Sequence, residues 1–233
     1  MFLKKKILCL IPARGGSKEI KLKNLKKINN KSLLSLSIEF AKSLKFLDDI
    51  IVSSENKKIL KIAKDLNVKL HIRSKKLSGD LVSDIELILN ILKTNNNNNF
   101  DYLLYLQPTS PFRFRNDFIK ALTNLIKQKA DATWSVTKMS NKYHPLKILK
   151  KYGNNYFKPY LPSGKKIVAR QQLNEVFIRN GIFYFFSIKK LILNKTIYLK
   201  KSIPYVVNYE YVNIDNYNDL KLGRQLIKKA KGK

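Results

Sequence analysis

The stretch Ile7-Leu8-Cys9-Leu10-Ile11-Pro12-Ala13-Arg14-Gly15-Gly16-Ser17-Lys18, followed shortly by Lys23-Asn24, decides how this chain reads. An apolar run that ends at a proline is the pattern of a short buried strand. The two glycines beyond it let backbone N–H groups approach a ligand, a hydroxyl adds a donor, and Arg14, Lys18 and Lys23 offer positive charge to phosphates. Strand, glycine loop, helix is the order of nucleotide sites at the carboxyl edge of a parallel sheet. Neither the GxxxxGK[ST] nor the GxGxxG spacing is present. The loop by itself therefore leaves two readings open, a phosphate or nucleotide site and a solvated turn rich in Gly and Lys.

With 233 residues and 44% hydrophobic content, the chain has enough apolar material for one well-filled core and a small appendage, so one domain spanning 1–233 is expected. Every apolar run falls far short of the roughly 18 residues that a membrane-spanning helix needs. The start, Met1 to Lys6 and then Ile7 to Ile11, superficially suggests a secretion signal. Its apolar part is too short and ends in Pro12 and Arg14, so it reads as the first strand. The lone cysteine, Cys9, lies inside that strand; it reads as a small core residue rather than a nucleophile, and the cysteine count suits a reducing, cytoplasmic setting. The formal charge of +31 comes from 47 Lys and Arg against 16 Asp and Glu, spread over nearly every segment. It reads as a general lysine and asparagine bias, since a nucleic-acid binder more often concentrates charge on one stripe, and no zinc-ligand spacing, aromatic RNP-type signature or basic heptad region occurs. The charge still favours anionic substrates, an effect that weakens with salt.

Apolar runs bounded by turn signals alternate with segments of helical period, the pattern of an α/β domain with a largely parallel sheet. Strands are expected at Ile7 to Ile11, Ile50 to Val52, Val68 to Ile72, Tyr102 to Leu106, Ala132 to Val136, Ile182 to Phe186 and Tyr205 to Val207. Helices are expected through Leu33 to Leu44, Ile59 to Leu66, Ile85 to Leu92, about Asn116 to Lys129, and Tyr217 to Lys229, with a low-complexity loop at Asn95 to Asn99. The alternation breaks down from Lys138 to Asn180, where Tyr152-Gly153-Asn154-Asn155 signals a hairpin and the aromatics Tyr143, Tyr156, Phe157 and Tyr160 gather. That segment reads as an excursion from the sheet.

Four loops at strand ends carry polar groups: Arg14 to Asn24, Arg73 to Ser83, Gln107 to Arg113, and Asn213-Ile214-Asp215. In open α/β sheets such loops can converge on one crevice. The motifs IPARGGSK (Ile11 to Lys18), KN (Lys23-Asn24), IIVSS (Ile50 to Ser54), Arg73/Asp80/Ser83, LQPTSPFR (Leu106 to Arg113), HPLK (His144 to Lys147), RQQL (Arg170 to Leu173), NGIFY (Asn180 to Tyr184) and NID (Asn213 to Asp215) run nearly end to end. Here the chain resembles the acylneuraminate cytidylyltransferases, the CMP-sialic acid synthetase family that includes enzymes for legionaminic and pseudaminic acids. The double glycine of the first loop places it nearer this branch than the related Kdo enzymes.

The resemblance implies a Rossmann-like nucleotide-diphospho-sugar transferase fold with a mixed, mostly parallel sheet, in which the 138–180 excursion serves dimerisation and sugar binding. It implies transfer of CMP from CTP to the anomeric hydroxyl of a nine-carbon 2-keto sugar acid, with Mg²⁺ or Mn²⁺ as cofactor and a homodimer with partly shared sites. Arg14, Ser17, Lys18 and Lys23 would hold the triphosphate, helped by backbone of Ala13, Gly15 and Gly16; Asn24, Arg73, Asp80 and Ser83 would fix cytidine and ribose. Gln107, Lys147, Arg170 and Tyr184 would meet the sugar, Lys147 as counter-charge to its carboxylate. Arg14, Lys18, Lys23 and Asp215 would carry the catalytic step. His71 and His144 read as structural, the latter shaping its loop.

Two departures stand out. Glu19-Ile20-Lys21 replaces a Gly-x-Pro that is common in the family after Ser-Lys, removing one permissive and one rigid residue. Asn213 stands where the family often has the first carboxylate of an Asp-x-Asp metal site; asparagine can ligate through its carbonyl oxygen but brings no negative charge, which makes Asp215 the principal expected metal ligand. Competing readings are a basic polyanion-binding module, a same-fold nucleotidyltransferase for another sugar or nucleotide, and an inactive relative.

Overall fold

A computed structural model describes residues 2–94 and 99–231. The loop expected at Asn95 to Asn99 lies, except for Asn99, outside the described residues. Strand β1 (Ile7–Pro12) leads through a short hairpin, β2 (Lys27–Ile28) and β3 (Lys31–Ser32), into helix α1 (Leu33–Ser43). Then follow β4 (Asp49–Ser54), α2 (Lys57–Asp65), β5 (Lys69–Ile72), α3 (Asp84–Thr94), β6 (Tyr102–Tyr105) and α4 (Arg115–Lys127). The remainder comprises β7 (Ala132–Lys138), β8 (Leu149–Tyr152), β9 (Tyr156–Pro159), β10 (Phe177–Ser187), α5 (Ile188–Asn194), β11 (Ser202–Val206) and α6 (Tyr217–Lys231).

Seven strands form one sheet in the order β11-β7-β10-β6-β1-β4-β5. β1 runs parallel to both β4 and β6, and β4 parallel to β5, whereas β10 enters antiparallel against β6 with Tyr184 opposite Tyr105. Central β1 is apolar throughout because helices cover both faces of such a strand; Ile7 to Ile11 are fully buried. Burial also pushes the Cys9 thiol well above its ordinary pKa, which removes it as a nucleophile. Helices start where side chains satisfy their first N–H groups: Ser32 Oγ accepts from Ser35 N at 3.0 Å before α1, and Asn56 Oδ1 accepts from Lys58 N at 2.9 Å before α2.

Two elements escape the sequence reading. The β2–β3 hairpin has only two residues per strand, and its signal is the pair Asn29-Asn30, both left-handed (φ 51° and 66°), as a type I′ turn requires. α5 spans seven residues, too few for a helical period to show. β10 is longer than expected, starting at Phe177 rather than Ile182.

The chain forms two compact units. The first comprises the residues up to Ser135, Asn180–Tyr205 and those from Tyr209 on; the second comprises Val136–Arg179 and Val206–Asn208. Within the second, β8 and β9 pair antiparallel, and Tyr152, Tyr156 and Phe157 are exposed. His144 is buried there: its Nδ1 accepts from Leu146 N at 3.2 Å and its Nε2 donates to Asn174 O at 3.2 Å, so it shapes the HPLK turn. Among the described residues no helix is long and apolar enough to cross a membrane.

Candidate active site

At the carboxyl ends of β1, β5 and β6, within the first unit, lies a cavity of about 730 Å³. All four polar loops contribute walls: Arg14, Ser17, Lys18, Lys23 and Asn24 from the first, Arg73, Asp80 and Ser83 from the second, Gln107 to Thr109 from the third, and Asn213 and Asp215 from the fourth. This is the crevice that an open parallel sheet offers beyond its strand ends.

The first loop is held from inside. Asn24, nearly fully buried, donates from Nδ2 to Arg14 O at 2.8 Å, and Ser17 N bonds to Gly15 O at 3.1 Å. Ile20, between the Glu19 and Lys21 that stand for the family's glycine and proline, is fully buried in an apolar cluster with Ile28, Leu33, Val212, Ile214 and Leu220. Ile20 thus anchors the loop by burial, and the same cluster holds Ile214, which places Lys23 and Asp215 on a shared base. Gly223 lets α6 close on this cluster, since a Cβ there would meet Ile28 Cδ1 at 3.1 Å.

The cations of this wall meet carboxylates. Arg14 Nη1 lies 2.6 Å from Asp80 Oδ1, Lys18 Nζ 2.8 Å from Asp80 Oδ2, and Lys23 Nζ 2.8 Å from Asp215 Oδ1. The Lys18 hydrogen bond, with Arg14 beside it, holds the Asp80 carboxyl below the usual carboxylate range. Asp80 is thus ion-paired with two of the residues expected to hold the triphosphate. Gly15 N–H, expected to face a phosphate, donates instead to Glu55 Oε1 at 2.6 Å. Ala13 is buried, and neither it nor either glycine walls the cavity among the described residues.

The loop after β6 is held by buried groups. Arg113, the last residue of LQPTSPFR, donates from Nε to Ile182 O at 3.2 Å, from Nη1 to Ser37 Oγ at 3.1 Å, and from Nη2 to Gln107 O, and so fixes the loop that presents Gln107. Burial pushes its pKa down to about 9, leaving it charged near neutrality. The prolines Pro108 and Pro111 keep this loop out of helix and strand. Gly181, at φ 73°, packs against it; a Cβ would meet Gln107 Oε1 at 2.9 Å and Ser110 Oγ at 3.0 Å.

Asn213 is locked between two partners. Its Oδ1 accepts from Ser110 Oγ at 3.0 Å and its Nδ2 donates to Asp215 Oδ2 at 3.0 Å. A carboxylate at 213 would face that of Asp215 at the same distance, so asparagine is the residue that satisfies this arrangement. Asp219 accepts from Asp215 N at 2.9 Å and Asn216 N at 3.0 Å, the capping role at the start of α6.

Ser83 sits at the start of α3 in a reciprocal cap: its N–H and Oγ donate to Glu86 Oε2 at 2.9 and 2.8 Å. The sugar-binding expectation fares differently for each residue. Gln107 lines the cavity, but Tyr184 is buried with its hydroxyl accepting from Gly181 N at 3.0 Å, which makes it a strut under Gly181 rather than a wall. Lys147 and Arg170 line a hollow of the second unit with Leu146, Pro159 and Val168.

Sequence reasoning missed Asp84 and Tyr105, which line the cavity and share a hydrogen bond of 2.5 Å, as well as Glu55 and the positioning role of Arg113. Asp84 adjoins Ser83, and Arg113 ends a motif already recognised, so both carried a signal; Tyr105 sat within an apolar strand and carried none.

A family model described as cytidylyltransferase matches residues 8–224. The chain is 29% identical over 228 residues to a pseudaminic acid cytidylyltransferase of Campylobacter jejuni subsp. jejuni serotype O:23/36, covering 96% of this chain and 97% of that one. It is 30% identical over 227 residues to a CMP-N,N'-diacetyllegionaminic acid synthase of Legionella pneumophila subsp. pneumophila, covering 95% and 96%. Among solved structures, CMP:2-keto-3-deoxy-manno-octonic acid synthetase complexed with CTP superposes with a TM-score of 0.70 at 15% identity, covering 97% of this chain and 99% of that one, a likeness of fold. The cations and carboxylates gathered at the strand ends thus stand in a Rossmann-like α/β chain that belongs to the cytidylyltransferase family.

Proposed function

We propose that this protein transfers CMP from CTP to the anomeric hydroxyl of a nine-carbon 2-keto sugar acid of the sialic, legionaminic and pseudaminic class. The observation that carries the reading is the convergence of Arg14, Lys18, Lys23 and Arg73 with Asp215 in one cavity of a cytidylyltransferase. The sugar oxygen bonds to the α-phosphorus, the bond from that phosphorus to pyrophosphate breaks, and the hydroxyl proton is released. Charge grows on the phosphoryl oxygens, so fixed cations lower the barrier. Arg14 and Lys18 leave Asp80, and Lys23 leaves Asp215, to take phosphate oxygens; each exchanges one anionic partner for another, which limits the cost of desolvation.

The exposed carboxylate of Asp215 suits Mg²⁺ or Mn²⁺. Such ions bind through one or two carboxylates and take their remaining oxygens from phosphate and water. The donor chemistry fits, with Asp215 as the charged ligand and Asn213 orienting it through Oδ2. When bound, the ion would neutralise charge on the transferring phosphoryl group. Lys147 keeps the role of counter-charge to the sugar carboxylate on the strength of its HPLK motif, and a cytoplasmic homodimer is the proposed setting.

The test is pyrophosphate release from CTP and Mg²⁺ with a panel of N-acetylneuraminic, legionaminic, pseudaminic and Kdo acids. Release with a nine-carbon acid supports the reading. Silence on the whole panel, with folded protein, refutes it. Sedimentation velocity tests the dimer.

A further inference from the structure

We infer that Ser53, His71 and Asn90 form a buried positioning relay that sets the Arg73 guanidinium for the nucleotide. The inference rests on the proposed reading that Arg73 serves CTP, and adds to it the residues through which Arg73 is aimed.

The register of the sheet builds the relay. Ser53 on β4 pairs with His71 on β5, so their side chains emerge on the same face, and Arg73, two residues after His71, shares that side. Ser53 is fully buried, and His71 and Arg73 are nearly so. Arg73 Nε lies 3.0 Å from Ser53 Oγ, and Nη2 lies 3.2 Å from Ser53 O. Ser53 Oγ lies 2.9 Å from His71 Nδ1, and His71 Nε2 lies 3.1 Å from Asn90 Oδ1 on α3.

Donor rules and a neutral His71 ring together set the direction of the bonds. A guanidinium only donates, so Ser53 Oγ accepts from Arg73; the Asn90 amide oxygen only accepts, so His71 Nε2 donates to it, and in the neutral ring Nδ1 is then the acceptor for the Ser53 hydroxyl. This is the neutral tautomer with its proton on Nε2. Burial pushes the His71 pKa down, with the Arg73 charge acting in the same direction, which agrees with that tautomer. Two of the three Arg73 nitrogens are thereby committed to Ser53, and Nη1, which makes no hydrogen bond among the described residues, is left for the cavity that Arg73 lines. A buried, permanently charged fork held by neutral acceptors keeps both its geometry and its charge for a ligand. α3 carries Asp84 and Leu87 in the cavity wall as well as Asn90, so one helix both closes the site and ends the relay.

The experiment is titration of CTP with Mg²⁺ by calorimetry, with steady-state kinetics and melting temperature on the same samples. His71→Leu removes the acceptor for Ser53, while His71→Asn returns an oxygen near the place of Nδ1; each is made alone and with Arg73→Met. The expected result is an approximately tenfold weaker CTP affinity in His71→Leu, seen as a raised KM for CTP, and recovery of most of it in His71→Asn. In the Arg73→Met background His71→Leu costs nothing further. If His71→Leu does not fold, Ser53→Ala takes its place in the same cycle. Wild-type affinity in His71→Leu beside a weakened Arg73→Met overturns the relay and leaves the role of Arg73 standing. An equal loss in both backgrounds also overturns it, because His71 then acts other than through Arg73. Wild-type affinity in Arg73→Met sinks the relay together with the nucleotide role of Arg73.

Discussion

The cations at this cavity and behind it are held in two opposite ways. Arg14, Lys18 and Lys23 stand on the first loop and meet the carboxylates of Asp80 and Asp215, which are well exposed. Arg73 and Arg113 stand deep in the fold and are held by the neutral oxygens of Ser53, Ser37, Gln107 and Ile182. An exposed ion pair contributes little stability and exchanges partners readily. A buried guanidinium tied to carbonyls and hydroxyls cannot move without leaving those acceptors unsatisfied. The first group is thus suited to exchanging anionic partners, and the second to holding fixed geometry.

Substitutions in each group can break this contrast. Asp215→Ala should have the largest effect, a fall in turnover on the order of 10²–10³-fold with an unchanged circular dichroism spectrum; retained activity would remove Asp215 from the chemistry. Arg113→Leu should act on stability, since it strands the acceptors at Gln107, Ile182 and Ser37, and about 2–4 kcal/mol should be lost in urea unfolding. A loss confined to activity would show that Arg113 is not the clamp described. Asp80→Asn should do the reverse of a binding-site lesion: freeing Arg14 and Lys18 should tighten CTP by roughly two- to fivefold at low salt, less as salt screens the site. Weaker binding would place Asp80 on the nucleoside after all. The smallest effect belongs to pH. Because His71 has a folded-state pKa below its ordinary 6.5, the unfolded chain takes up its proton first. Its contribution is complete above pH 6.5 and is lost as pH falls from there through the folded-state value. Urea unfolding of wild type and His71→Asn across pH 5 to 7.5 should show the flatter slope in the variant.

Much of this was legible in the residues. Ile7 to Ile11 read as a strand because five consecutive apolar positions with a stop at Pro12 are the length and pattern of a strand covered on both faces. The four polar loops were legible too, since Gly, Pro and charged clusters interrupt apolar runs at each strand end. The short β2–β3 hairpin and α5 were not, because two or seven residues are too few for periodicity to rise above composition. Nor was the fate of Tyr184, whose side of an antiparallel strand depends on register with β6.

The sequence alone determined the alternation of strands and helices, the loop chemistry at the strand ends and the resemblance to cytidylyltransferases, because these are properties of neighbours along the chain. Which groups meet was decided only by the tertiary structure. Asp80 closes on Arg14 across 66 positions, Asn213 accepts a hydrogen bond from Ser110 across 103, and Ser53 reaches Arg73 across 20 through the parallel register of β4 and β5. Hydrogen-bond partners of this kind are chosen by packing, since a buried donor must find whatever acceptor the fold brings within about 3 Å.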